Sequence, residues 1–251
     1  MTPGNRPDPA ADTRPFRPRD LSRHPAALTP LYRSSVLRSP RFPLLSASPS
    51  ATETTGPVFG HATLGPRDAD LTANFAGAGE SAIGERIIVH GRLLDEDGRP
   101  VPGALVEIWQ ANAGGRYRHG RDTYRAPLDP NFGGCGRTIT AADGAYAFLT
   151  VRPGAYPWPN RQNDWRPAHI HFSLFGHGFA QRLVTQMYFE GDPSIPLCPI
   201  VNSAPDAAAV QAMTAQLDMD ATAPFDARAW RFDIVLRGRR STPFENRPEG
   251  N

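Results

Sequence analysis

The sequence predicts an all-β protein: an antiparallel β-sandwich with long loops, a proline-rich N-terminal arm and one short helix in its C-terminal half. Two features carry that prediction. Short β-type runs of alternating polarity recur between residues 84 and 236, separated by turn residues rather than by helical patterns. Gly (23) and Pro (27) make up a fifth of the 251 residues, and every proline removes a backbone donor and interrupts helices. Strands with long, Gly-rich connections fit a sandwich better than an alternating α/β fold.

The arm comes first. Twelve prolines fall in the first 66 residues, so residues 1–83 are expected to form an extended arm and docking segment, mobile as far as Arg19. Apolar content rises from Asp20 to Pro43 through Leu28, Leu31, Tyr32, Val36 and Leu37, a composition suited to docking on something such as another subunit. The sandwich domain is expected over 84–251. Its candidate strands are 86–95, 104–111, 144–151, 168–175, 182–189 and 231–238. Asp97-Gly98 marks the turn that joins the first two. The one convincing helix spans 204–218, opened by Pro205-Asp206 and filled with good helix formers.

Composition excludes several classes of function. With 39% hydrophobic and 21% charged residues the chain is globular rather than disordered, and at this length a core needs no disulfide staples. A formal charge of +2 is too small for an electrostatic nucleic-acid binder. All 27 positive side chains are arginine, which removes Schiff-base chemistry, because that needs a lysine amine. Cys135 and Cys198 can form at most one bridge, and free thiols in a reducing compartment are the expectation. No run approaches the ~20 apolar residues of a membrane helix, and the N-terminus has no apolar stretch of the secretory kind. A cytoplasmic protein is expected.

The chemistry starts from PAHIHF. His169 and His171 stand two apart on a predicted strand, where side chains alternate, so both imidazoles face one way. They either bind one metal together or are ordinary strand histidines; two nitrogens alone do not make a site. Upstream, Tyr117 in GGRYRH and Tyr156 in PGAYPW sit in loops framed by Gly and Pro. A lone loop tyrosine is usually a packing residue, but two ahead of a His-x-His invite a joint reading. A phenol has a pKa near ~10, yet a bound cation can strip its proton. Phenolate is a hard anionic oxygen and a known ligand of iron, so two Tyr and two His together select ferric iron over zinc. No carboxylate stands at ligand spacing beside the histidines, and both cysteines lie outside the cluster.

GERIIVHGRLLDEDGRPVPGALVEIWQANAGGRYRH, LDPNFGGCGR, PGAYPW, NDWRPAHIHF and QMYFEGDP together resemble the intradiol ring-cleaving dioxygenases, from about Arg19 to Asn246. Within that family the likeness is to the iron-bearing β subunits that act on 3,4-dihydroxybenzoate beside an α subunit. The resemblance implies a prealbumin-like sandwich and one Fe(III) per chain, held by Tyr117, Tyr156, His169 and His171 with a solvent hydroxide in a fifth position. It implies Arg166 and the displaceable Tyr156 as catalytic residues, and Tyr32, Trp158, Gln186 and Ile200 as residues of the substrate pocket. It further implies αβ units in a larger symmetric oligomer, with protocatechuate and O2 as substrates. Ala155 departs from the family, which usually has proline there, a change expected to loosen the loop holding Tyr156.

Each assignment has a plainer counterpart. Arg166 can simply pair with Asp164; Trp158 can be packing; Gln186 can be a cross-strand polar partner; Ile200 can be core; and Tyr32 depends on the arm docking correctly. His119, His24, His61, His90 and His177 are read as structural. Two other activities stand beside the first: a catechol or hydroxyquinol 1,2-dioxygenase with the same iron site, and a non-catalytic, transthyretin-like binding sandwich.

Overall fold

The computed structural model describes residues 24–39, 64–175 and 182–244. They form helix α1 (Arg33–Arg38), then strands β1 (Arg86–Leu94), β2 (Leu105–Gln110), β3 (Cys135–Ile139), β4 (Ala145–Val151), β5 (Tyr156–Trp158), β6 (Asp164–Arg166), β7 (His169–Phe175) and β8 (Arg182–Phe189). Helix α2 (Ala207–Gln211) and strands β9 (Thr214–Ala223), β10 (Ala227–Arg231) and β11 (Ile234–Val235) complete the set. The expected mobile stretch to Arg19, as well as His61 and His177, lie outside the described residues.

The all-β expectation holds, but the antiparallel one is corrected. The large sheet runs β11-β1-β10-β9-β8-β7-β2-β3, with β4 on the free side of β1. β1 pairs in parallel with β10 and β11, and β8 in parallel with β9. β3 comes back beside β4, so one mixed sheet curls nearly into a barrel instead of forming two facing antiparallel sheets. The Asp97-Gly98 turn does not make a hairpin of β1 and β2. It reverses the chain only as far as Leu94 and Pro100, after which β2 pairs with β3 and β7 on the far side.

Alternation sends one face of each strand inward: Ile87, Val89 and Leu93 from β1, Val106 and Ile108 from β2, Ile170, Phe172 and Leu174 from β7. These meet Phe148, Phe189, Trp230 and Phe232 in a single core, where each large side chain contributes about 1.5–3 kcal/mol by burial. Leu71 and Ala82, from the stretch before β1, belong to the same core, and Asp70 bridges to Leu149 along β4.

The helix expected over 204–218 is corrected too. Asp206 caps it by accepting from the Ala209 N–H, but the helix stops at Gln211. Beyond it, Thr214 and Ala215 pair with Tyr188 and Phe189, and Gln216 and Leu217 pair with Arg231 and Trp230. Sheet pairing on two sides outweighs the modest helix propensity of this segment. The run expected as one strand at 231–238 is likewise split between β10 and β11.

Candidate metal centre

The inward alternation of β7 leaves His169 and His171 on the opposite face, away from the apolar core. His169 stands across from Tyr188 and His171 from Gln186 on β8, while Trp109 on β2 stands across from His171 on the other side. The His169 imidazole is buried, and its Nδ1 bonds to the Pro167 carbonyl at 2.6 Å. That contact makes Nδ1 the donor and leaves the Nε2 lone pair facing the site. Burial, then the positive charge of Arg166, holds His169 well below the usual imidazole range, so the ring is neutral and able to ligate.

Tyr156 and Arg166 arrive together on the small β5–β6 hairpin, where they are direct partners. The Tyr156 oxygen lies 3.4 Å from His169 Nε2. The Tyr117 oxygen, carried by the loop after β2, lies 3.4 Å from His169 Nε2 and 3.1 Å from His171 Nε2. The two tyrosine rings meet edge to face, 5.5 Å apart. Donors held about 2.0–2.1 Å from one ion at 90–110° are separated by about 2.9–3.4 Å, so this donor set has the spacing of a metal shell. Burial pushes the Tyr156 phenol up, with Arg166 acting against it; a cation at the centre would supply the charge that deprotonates it. Among the described residues no group of three His, Cys, Asp or Glu is placed to hold a metal ion.

Arg166 is buried beside the centre. Its guanidinium donates to Gln186 Oε1 and to the Tyr188 hydroxyl (3.3 Å), and Tyr188 in turn donates to Gln186 Oε1 at 2.6 Å. Burial works to lower the Arg166 pKa, but the oxygens of Tyr188, Tyr156 and Tyr117 and the Cys198 thiol hold it above its ordinary value. Its Nε is buried and has no hydrogen-bond partner among the described residues. The pairing with Asp164 does not occur: that carboxylate bonds Arg161 at 2.9 Å, which holds it below the usual range.

Tyr32, Trp158 and Ile200 gather in one apolar cluster beside Arg166. Tyr32 packs edge to face on Trp158 at 5.4 Å, and both lie against an apolar cluster of Tyr188, Cys198, Ile200, Val201 and Met213. The Arg166 guanidinium sits 5.9 Å over the Trp158 ring. Asn160 fastens the arm here: its side chain accepts from the Arg33 N–H at 2.8 Å and donates to the Leu31 carbonyl at 2.9 Å and to Asp164 at 2.7 Å. Both cysteines are free, Cys198 buried and Cys135 exposed. A cavity of about 830 Å³ opens on the centre, lined by Tyr117, Tyr156, His171, Trp109, Trp158 and Trp165 among others; Tyr32, Gln186 and Ile200 do not line it.

Two residues escaped the sequence reading. Trp109 stacks on His171, ring centres 4.7 Å apart and planes 6° apart, and Tyr188 completes the Arg166–Gln186 network. Their signal was the period of two, which places both on the site-facing side of strands flanking the His-x-His. The Ala155 carbonyl lies close against Gly115 of the neighbouring loop.

The chain belongs to the intradiol dioxygenase family: a family model described as "Dioxygenase" matches residues 54–238, and one described as "Protocatechuate 3,4-dioxygenase beta subunit N terminal" matches residues 17–50. It is 53% identical to the protocatechuate 3,4-dioxygenase beta chain of Burkholderia cepacia, over 91% of this chain and 96% of that one. It is 32% identical to the alpha chain of the Pseudomonas putida enzyme, over 65% of this chain and 77% of that one. Among solved structures, hydroxyquinol 1,2-dioxygenase from Pseudomonas putida DLL-E4 superposes with a TM-score of 0.52 at 26% identity, covering 81% of this chain and 70% of that one.

Proposed function

We propose that this chain carries protocatechuate 3,4-dioxygenase activity: with O2 it cleaves 3,4-dihydroxybenzoate between the two hydroxylated carbons, giving 3-carboxy-cis,cis-muconate for the β-ketoadipate route of aromatic catabolism. The single observation that carries the reading is the convergence of two phenol oxygens and two imidazole nitrogens, 3.1–3.4 Å apart, in a chain 53% identical to a beta chain of that enzyme. In sequence, hydroxyquinol and catechol 1,2-dioxygenases match less than half of this chain, at 37% and 38% identity, and a non-catalytic sandwich has no use for a complete donor set.

Tyr117, Tyr156, His169 and His171 would hold one Fe(III). Bound ferric iron would supply the Lewis acidity that favours the doubly deprotonated catecholate, the form of the ring open to O2. The protein does the rest. Tyr156 Oη takes a proton from a catechol hydroxyl, while Tyr117 stays as the permanent phenolate. Arg166, a fixed cation with an unused Nε donor, faces the charge that develops on the substrate. Gln186 and Tyr188 hold its guanidinium in place. Trp158 walls the pocket; Ile200 packs behind it, and Tyr32, edge to face on Trp158, would reach the substrate carboxylate past that ring.

An α subunit completes the unit in this reading. Leu28, Leu31, Val36 and Leu37 on and before α1 are exposed by half or more, apolar surface of the kind a partner covers. No described helix is long and apolar enough to cross a membrane, and a cytoplasmic setting is part of the proposal.

The test is oxygen uptake with 3,4-dihydroxybenzoate by the chain co-produced with its α partner, with product identified by mass. Stoichiometric uptake and a ring-opened diene with three carboxyl groups support the assignment. Turnover of unsubstituted catechol in preference to the carboxylated ring would contradict it.

A further inference from the structure

The two tyrosine loops share a hub. Asn112, buried just beyond β2, accepts at its backbone carbonyl from the Gly115 N–H at 2.9 Å and from the Gly154 N–H at 3.0 Å. Each glycine stands two residues before a tyrosine of the centre, Gly115 before Tyr117 and Gly154 before Tyr156. The Asn112 side chain closes the first loop on itself. Its Oδ1 accepts from the N–H groups of Gly114 (3.0 Å) and Arg116 (2.9 Å), and its Nδ2 donates to the Pro127 carbonyl (3.0 Å).

Backbone meets backbone between these loops. A Cβ on Gly154 would fall 2.5 Å from the Ala113 carbonyl oxygen and 2.6 Å from Gly115 N. A Cβ on Gly115, where φ is +81°, would fall 2.3 Å from the Ala155 carbonyl oxygen. Contacts that short involve no flexible side chain that could give way, so two missing methyl groups set the distance between the loops.

We infer that Asn112 is a positioning residue of the metal centre, fixing, with the Gly115–Gly154 contact, the separation of the Tyr117 and Tyr156 oxygens. The inference rests on the iron reading above. Donors on strands are placed by the hydrogen-bond ladder, whereas donors on loops need another device to hold them within about 0.5 Å of working geometry.

The experiment uses the full-length chain co-produced with its α partner. It reads iron retained after dialysis against a chelator, the position of the visible phenolate-to-iron band, and the melting temperature as a control for folding. Gly120→Ala, at a glycine with open space around the added carbon, is expected to match the wild type throughout. Asn112→Ala is expected to retain about tenfold less iron and to shift the band of what remains; Asn112→Asp, which keeps the Oδ1 acceptor, restores most of both. Gly154→Ala is expected to lose at least as much iron as Asn112→Ala. Loss of global stability alone would lower the melting temperature without moving the band of bound iron. Wild-type iron content and band position in Asn112→Ala would overturn the inference, as would an Asp variant no better than Ala. If Gly154→Ala does not fold, the two Asn112 variants decide. A wild-type chain that holds no iron would remove the underlying reading instead, and the inference with it.

Discussion

The strand-borne and loop-borne halves of the centre are built on different principles. His169 and His171 sit on β7 between β2 and β8, and their spacing follows from strand geometry: two residues apart, same face, rings 4.9 Å from centre to centre. Tyr117 and Tyr156 sit 39 residues apart in sequence, one on the loop after β2 and the other at the first residue of β5, and the segments that lead into them meet through Asn112, Gly115 and Gly154. The first half inherits its rigidity from a sheet that exists for other reasons. The second has to be made locally, from turn residues and close backbone contacts.

Breaking the strand half has the largest expected effect. His169→Ala removes a nitrogen that lies 3.4 Å from both phenol oxygens and is expected to lower iron affinity by more than about 100-fold. Metal analysis of the purified protein checks it; near-stoichiometric iron would show that the strand half is dispensable. Arg166→Ala comes next. It is expected to keep iron and colour while turnover falls about 10²–10³-fold, measured by steady-state oxygen uptake beside the visible spectrum. Unchanged turnover would take the buried guanidinium out of the mechanism.

Trp109→Leu sharpens the comparison from the strand side. Loss of a stacked partner is worth about 0.5–1.5 kcal/mol, so iron dissociation into chelator is expected to speed up roughly fivefold, with the fold intact by melting temperature. A wild-type dissociation rate would make the stack packing only. The smallest effect is at the arm. Tyr32→Phe is expected to raise KM for 3,4-dihydroxybenzoate roughly threefold with kcat little changed, the loss of one hydrogen bond. A fall in kcat at constant KM would place Tyr32 elsewhere in the cycle.

What could be read from the chain follows the same divide. The His-x-His was legible because a period of two needs no tertiary knowledge, and five of the six strands expected were found to within a residue or two. β9 was missed because its sequence, TAQLDMDATA, has no strand preference of its own; it becomes a strand because β8 and β10 offer edges on either side. The parallel pairings were invisible for a related reason, since local pattern does not say which distant strand becomes a neighbour. Tyr117 and Tyr156 stood out only as loop aromatics framed by glycine, and it was the resemblance that joined them to the histidines. Asn112 carried no signal of its own: an asparagine before a glycine turn is common, and its double acceptance appears only once both loops are folded.

The central claim is that both halves converge on one ferric ion, and resonance Raman excitation into the visible band tests it most directly, alongside iron counted per chain. The account predicts one iron per chain and enhanced tyrosinate vibrations from two phenolates, with a residual set persisting in Tyr117→Phe. A colourless protein, or zinc at these four donors with no tyrosinate modes, would contradict it.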